Sequence, residues 1–276
     1  MEGYLVSNLY FRDKKIFSAK IIKEHIYNIQ TRGYAVIESY LSEHECETLK
    51  LGMIRALKEY KPRSNSNQSI LDMYQIHDLI IRDQNYAFLL EDPRLHQLIA
   101  PLLGESWIMY AATSSSIPPH GKNYASRIHV DCPRFQPDYI FNLGVIWTLD
   151  PYKSENGSLK VLPGSHHIET KPSEAFFEKN SQKLICSKGS LLIFNARMYH
   201  RTSKNSTNEW QHSMTLNACR AFMKQRMDWV RFVPKKLASK LNPLARRLIG
   251  YDTRIPSNLD EFFLPNEDRL YKEGQG

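Results

Sequence analysis

The stretch Ser126-Arg-Ile-His129-Val-Asp131 decides how this chain is read. Apolar and polar residues alternate in it between turn formers, which predicts a strand. On a strand, residues i and i+2 point to the same face, so His129 and Asp131 project together. One imidazole nitrogen and one carboxylate oxygen on a shared face make two-thirds of a facial metal site. The third ligand must come from another strand, and the candidate is His200. It ends Gly189-Ser-Leu-Leu-Ile-Phe-Asn-Ala-Arg-Met-Tyr-His200, a buried strand running into an exposed turn. Two histidines and one carboxylate leave metal positions open, the donor set of non-haem Fe(II) oxygen chemistry. A His-x-Asp alone is weak, because a strand histidine bonded to a nearby aspartate gives the same letters. The surrounding sequence has to carry the rest.

Working outward, segments 107–115, 139–149, 158–162, 190–195 and 211–223 also read as strands separated by Pro, Gly, Asn and Ser turns. The first hundred residues differ. Residues 18–31 carry Ile21, Ile22, His25, Ile26 and Ile29 at helical spacing, and Gly33 ends the pattern before a short strand at Tyr34-Ala-Val-Ile37. Ser42-Glu-His-Glu45 fits a capping box, predicting a helix to about Tyr60. Residues 61–69 read as a polar loop, and 85–103 as two helical pieces broken at Asp92-Pro93 and closed by Gly104. Near the C-terminus, Asn242-Pro243 reads as an N-cap followed by proline, with Gly250 closing a short basic helix. Helices followed by a run of strands indicate an α+β fold, with helices packed on a β-sandwich or barrel. No repeat or linker divides the chain. It is expected to form one domain over 1–276: a helical part to about 104, a β core over 105–223 and a basic helical segment over 224–276.

Composition narrows the class. The chain has 276 residues, 42% hydrophobic and 24% charged, which excludes a coiled coil, a fibre or a disordered chain. No run of 18 apolar residues predicts a membrane span. The N-terminus lacks the pattern of a secretory signal. The four cysteines, 46, 132, 186 and 219, form no CxxC pair, so a cytoplasmic location is expected, with neither zinc site nor disulfide framework. The net charge of +8 equals the excess within residues 220–254, which hold ten Lys/Arg against two Asp. A solvated basic face accounts for this. An anionic partner, such as a membrane surface or an acidic substrate, is the sharper alternative. Nucleic acid is disfavoured because no recognition motif accompanies the charge. Nucleophile elbow, Walker loop, Rossmann fingerprint and HExxH are all absent.

His129-Val-Asp131, Asn156-Gly157, Pro163-Gly-Ser-His166 and the Gly189 strand leading to His200 stand in an order that resembles the phytanoyl-CoA dioxygenase family of Fe(II)- and 2-oxoglutarate-dependent oxygenases. The resemblance spans about residues 107–222, and the N-terminal helices more loosely. It implies a double-stranded β-helix, or jelly roll, and a reaction that takes Fe(II), 2-oxoglutarate and O2. His129, Asp131 and His200 match the iron ligands. Asp131 favours hydroxylation, since halogenating relatives replace this carboxylate. Trp147, Thr202 and Thr113 match positions around the 2-oxoglutarate.

Two positions depart from the family pattern. Gln211 stands where the family carries an arginine for the far carboxylate of 2-oxoglutarate, and Gln75 aligns with a family lysine. A neutral amide bonds a carboxylate about half as strongly as a cation does. Rescue by His212, Arg127, Arg134, Lys160 or Arg220 is one expectation. A different 2-oxoacid or a non-catalytic metal-binding protein is another. The expected substrate is a small molecule or a lipid- or sugar-linked one, with a membrane-peripheral location as an option. No motif names the substrate or the oligomeric state.

Overall fold

In the computed structural model, which describes residues 9–61 and 74–274, Ser18 and Gly33 bracket the first helix. The Ser18 hydroxyl accepts from the Ile21 amide, and Gly33 adopts φ +92°, where its N–H closes on Ile29 O. Only glycine takes that conformation without strain. Helix α1 is Ala19–Arg32 and strand β1 is Tyr34–Ile37. Helix α2, Glu43–Glu59, starts at the expected capping box. Helices α3 (Leu79–Arg82), α4 (Gln84–Phe88) and α5 (Pro93–Leu103) follow. Asp92 caps α5 with Pro93 in its first turn. The predicted polar loop falls, from residue 62 on, outside the described residues.

The strands are β2 (Ile108–Ile117), β3 (Asn142–Thr148), β4 (Leu159–Val161), β5 (Gln182–Lys183), β6 (Leu191–Asn195), β7 (His200–Thr202) and β8 (Gln211–Cys219). Helix α6 is Glu174–Asn180, and α7 (Trp229–Phe232), α8 (Lys235–Ala238), α9 (Pro243–Ile249) and α10 (Leu259–Phe262) close the chain. One sheet runs β1-β6-β3-β8-β2 and the other β5-β4-β7; every paired strand is antiparallel. The architecture is mixed helix and antiparallel sheet.

The larger sheet is buried on both faces. Leu143, Val145, Trp147, Leu191 and Ile193 join the main core with Leu49 and Met53 of α2, Leu95 and Leu98 of α5, and Leu248 of α9. Ile146, Leu192 and Phe194, on the opposite face, pack with Leu159 and Val161 of the smaller sheet. Among the described residues, no helix is long and apolar enough to cross a membrane. All four cysteines are buried free thiols.

Two predicted strands are corrected. The 126–131 segment pairs only at His129, which exchanges both backbone bonds with His200 (3.1 and 3.0 Å). Before it, Tyr124–Ser126 is a 3-10 turn. After it, the amides of Asp131 and Cys132 both donate to Ala196 O (2.8 and 3.0 Å), so the ladder does not continue along β7. The 211–223 strand stops at Cys219, because the chain turns there and the Met223 amide donates to Arg220 O.

Candidate metal centre

His129, Asp131 and His200 converge at the rim between the two sheets, and one ligand atom from each lies within 4.8 Å of the others. Asp131 Oδ1 is 3.5 Å from His129 Nε2 and 3.7 Å from His200 Nε2. The second nitrogen of each ring is already engaged. His129 Nδ1 donates to Arg127 O at 2.7 Å, and His200 Nδ1 to Met198 O at 2.9 Å. That fixes the tautomer and leaves both Nε2 lone pairs facing Asp131, as metal-ligating histidines require. Asn217 Nδ2 donates to Asp131 Oδ2 at 3.2 Å, which orients the carboxylate with Oδ1 inward. Phe194 packs edge-on against His200, with centroids 4.8 Å apart.

Two of the three groups, Asp131 and His200, already stand in their metal-binding forms, and His129 shares a proton with Asp131 that a metal would displace. Burial pushes the Asp131 carboxyl up, but His200, His129 and Asn217 outweigh it and hold the pKa down to about 2. Burial, then the neighbouring His129, lowers His200 to about 4, so its ring is neutral at neutral pH. His129 is raised: burial opposes the proton, and Asp131 more than compensates. A carboxylate and a neutral imidazole are the metal-binding forms.

A cavity of about 90 Å³ opens from the triad between the sheets. Gln75, Thr113 and Thr202, three of the residues that the resemblance puts around the co-substrate, line it. Tyr124, Tyr152, Ser115 and Asn217 line it too. The tyrosines went unnoticed in the sequence because each is an isolated aromatic next to a turn.

Trp147 is not among the lining residues. Its neighbour Ile146 faces the cavity, while Trp147 lies in the main core with its Nε1 unpartnered. Gln211 is 1% exposed and also lies outside the lining; its amide donates to His212 O at 3.1 Å.

All five proposed rescues are engaged elsewhere or lie outside the lining. Arg220 donates to the carbonyls of Ile140, Leu102 and Leu103. Lys160 pairs with Glu178. His212 Nδ1 meets Ser116 Oγ at 2.9 Å, and its own N–H donates to Asp150. Arg127 does not line the cavity, and Arg134 lines the neighbouring groove instead. Among the described lining residues, the one Lys or Arg is the exposed Arg226.

Comparisons with known proteins give the chain a family and a fold. The family model for phytanoyl-CoA dioxygenase (PhyH) matches residues 29–213. The uncharacterized protein Rv1501 of Mycobacterium tuberculosis is 26% identical over 253 residues, 88% of this chain and 92% of its own. Two solved structures share the fold. HygX from Streptomyces hygroscopicus, with nickel and 2-oxoglutarate bound, has a TM-score of 0.60 at 16% identity and covers 74% of this chain and 88% of its own. The epimerase SnoN, in complex with Fe3+, alpha ketoglutarate and nogalamycin RO, has a TM-score of 0.60 at 18% identity, over 74% of this chain and 85% of its own.

Proposed function

The chain belongs to the phytanoyl-CoA dioxygenase family, and from that premise we propose that it is an Fe(II)-dependent oxygenase that hydroxylates a C–H bond of a small organic molecule with 2-oxoglutarate and O2. The observation that carries this reading is the meeting of the two Nε2 atoms and Asp131 Oδ1 within 4.8 Å, with the far side of each ligand tied by its own hydrogen bond. On this reading the two facing sheets are the halves of a double-stranded β-helix, the fold that holds such a triad at one rim.

The donor set fits Fe(II): two neutral imidazoles and one carboxylate suit a borderline divalent ion and leave positions open. Bound iron with a 2-oxoacid and oxygen supplies the oxidising power for a C–H bond. The chain's own residues do the rest. His129, Asp131 and His200 hold the ion. Thr113, Thr202, Tyr124 and Tyr152 place hydroxyls in the wall of the cavity where a 2-oxoacid would lie, Thr202 already donating to Asn123 Oδ1 and Tyr152 to Ser213 Oγ. For 2-oxoglutarate the fit is by hydrogen bonds. Its far carboxylate gains donors, and among the described lining residues Arg226 at the exposed end is the one fixed positive charge.

The test is oxygen-dependent formation of succinate from 2-oxoglutarate by the Fe(II)-loaded protein. Asp131→Ala should abolish it, since removing one of three ligands removes the ion. Undiminished turnover by that variant would overturn the reading. No succinate from a protein that binds the metal would favour a non-catalytic role. Epimerisation, the chemistry in SnoN's name, starts from the same C–H bond; incorporation of label from 18O2 into the product separates it from hydroxylation.

A further inference from the structure

A second and larger concavity adjoins the triad, of about 450 Å³ against the 90 Å³ of the inner cavity, and Asp131 belongs to both walls. That volume is within the usual range of small-molecule sites. Four segments meet there: Tyr110 at the irregular point of β2, the residues directly after Asp131, Phe141 ahead of β3, and the turn after β8. We infer that this groove binds the organic substrate, and that the substrate carries an apolar, ring-sized body and an anionic group. The inference rests on the oxygenase reading only for what happens to the ligand, not for its binding.

The apolar part follows from Tyr110, Phe141, Phe222 and Met223. Phe222 is 51% exposed, although the turn that carries it is firmly held. On one side, the Arg220 guanidinium donates to Ile140 O (2.8 Å) and to Leu102 and Leu103 O (3.2 Å each), and it covers the Tyr139 ring at 4.2 Å. On the other side, the Gln225 amide donates to Met109 O (2.6 Å) and Ile249 O (3.0 Å). Phe222 and Met223 are therefore presented from a fixed frame beside the metal centre. Covering such a ring with an apolar ligand removes its area from water.

The anionic part follows from Arg134 and Lys224, which stand in the wall with that apolar surface. Neither takes part in an ion pair among the described residues. The wall's one acid is Asp131, whose carboxylate is already turned to His129, His200 and Asn217. An anion on an apolar body satisfies both cations, whereas a cationic ligand would be repelled.

The probe for the test is 1-anilinonaphthalene-8-sulfonate, with N-phenyl-1-naphthylamine as the same ring system lacking the sulfonate. In the metal-free protein the sulfonate should bind at least tenfold more tightly than the neutral amine. Phe222→Ala should weaken both probes. The double variant Arg134→Gln/Lys224→Gln should weaken the sulfonate fivefold or more and leave the amine unchanged. These side chains are exposed or at the rim, and an unchanged melting temperature shows that each variant folds. Co(II) at the triad should quench the bound probe in the wild type. Equal affinity for both probes, or a sulfonate affinity indifferent to the double variant, would overturn the anionic assignment. Indifference to Phe222→Ala would overturn the groove itself. If the probe pattern holds but Co(II) does not load, the oxygenase reading fails while the groove assignment stands.

Discussion

Asn217 does for Asp131 what the carbonyls of Arg127 and Met198 do for the two histidines: it occupies the far side of the ligand and so aims the near side. Removing such a support typically costs 10–100-fold in metal affinity. Asn217→Ala should therefore weaken Co(II) binding by roughly that factor, read from the absorbance of the bound ion, while the melting temperature changes little. Unchanged affinity would show that Asp131 is positioned by its backbone alone. The His-x-Asp pair was legible in the sequence because two-residue periodicity survives even where the strand shrinks to one bridge. The bond from Asn217 to Asp131 was not legible, since β8 and the 129–131 segment are joined only by folding. Trp147 was misplaced for a related reason. Strand β3 is buried on both faces, so its sequence shows no alternation from which to tell the cavity side from the helix side.

At the scale of elements, the crossing of β3 and β6 positions His200. Gly144 pairs with Phe194, and a Cβ on Gly144 would lie 2.1 Å from the Phe194 ring. The bare glycine lets that ring lie across β3 and support His200 edge-on. Gly144→Ala should displace Phe194, destabilise the fold by about 1–3 kcal/mol as overpacked cores do, and weaken metal binding together with stability. Wild-type values of both would mean that Phe194 is free to move.

Helix α2 gives a second, pH-dependent case. Glu45 accepts from the Ser42 amide (2.8 Å) and pairs with Lys14 (2.5 Å). Burial raises its pKa, but Lys14 and Ser42 outweigh that and lower it from 4.5. A carboxyl with a lower pKa in the folded chain binds fewer protons there. Its contribution is therefore complete above pH 4.5 and is lost as the pH falls through the depressed value. Glu45→Gln should cost about 1 kcal/mol at pH 7, with the gap to wild type closing in denaturant titrations as the pH falls below 4.5. A pH-independent gap would assign the loss to packing. This capping box was readable from four letters because it is local. Strands β5 and β7, two and three residues long, were not, since sheet pairing rather than pattern defines them.

Across the whole molecule, the basic stretch 220–254 turns out to have two faces. Trp229, Val233, Ala238, Leu241, Ala245, Leu248 and Ile249 enter the main core with the N-terminal helices. Several cations of the stretch are also engaged: Arg246 with Ala238 O and the Tyr251 ring, Arg247 with His96, and Lys240 with Gln84. The sequence showed apolar residues between basic ones but not which way they turn, because a core-facing and a membrane-facing stripe have the same spacing. With those apolar residues inside, contact of this stretch with an anionic surface would be electrostatic, carried by exposed cations such as Lys235 and Lys236. Two variants separate the faces. Leu248→Ala should cost about 2–5 kcal/mol of stability, as buried leucines do, and leave retention on anionic vesicles at the wild-type level. Lys235→Gln/Lys236→Gln should leave stability within about 0.5 kcal/mol and reduce retention, as should raising salt from 0.05 M past 0.1 M, where the Debye length is about 10 Å. Sedimentation with phosphatidylserine vesicles at two salt concentrations reads this directly. Retention indifferent to both lysines and to salt would leave the exposed face merely solvated, and the surplus charge would then act only through solubility.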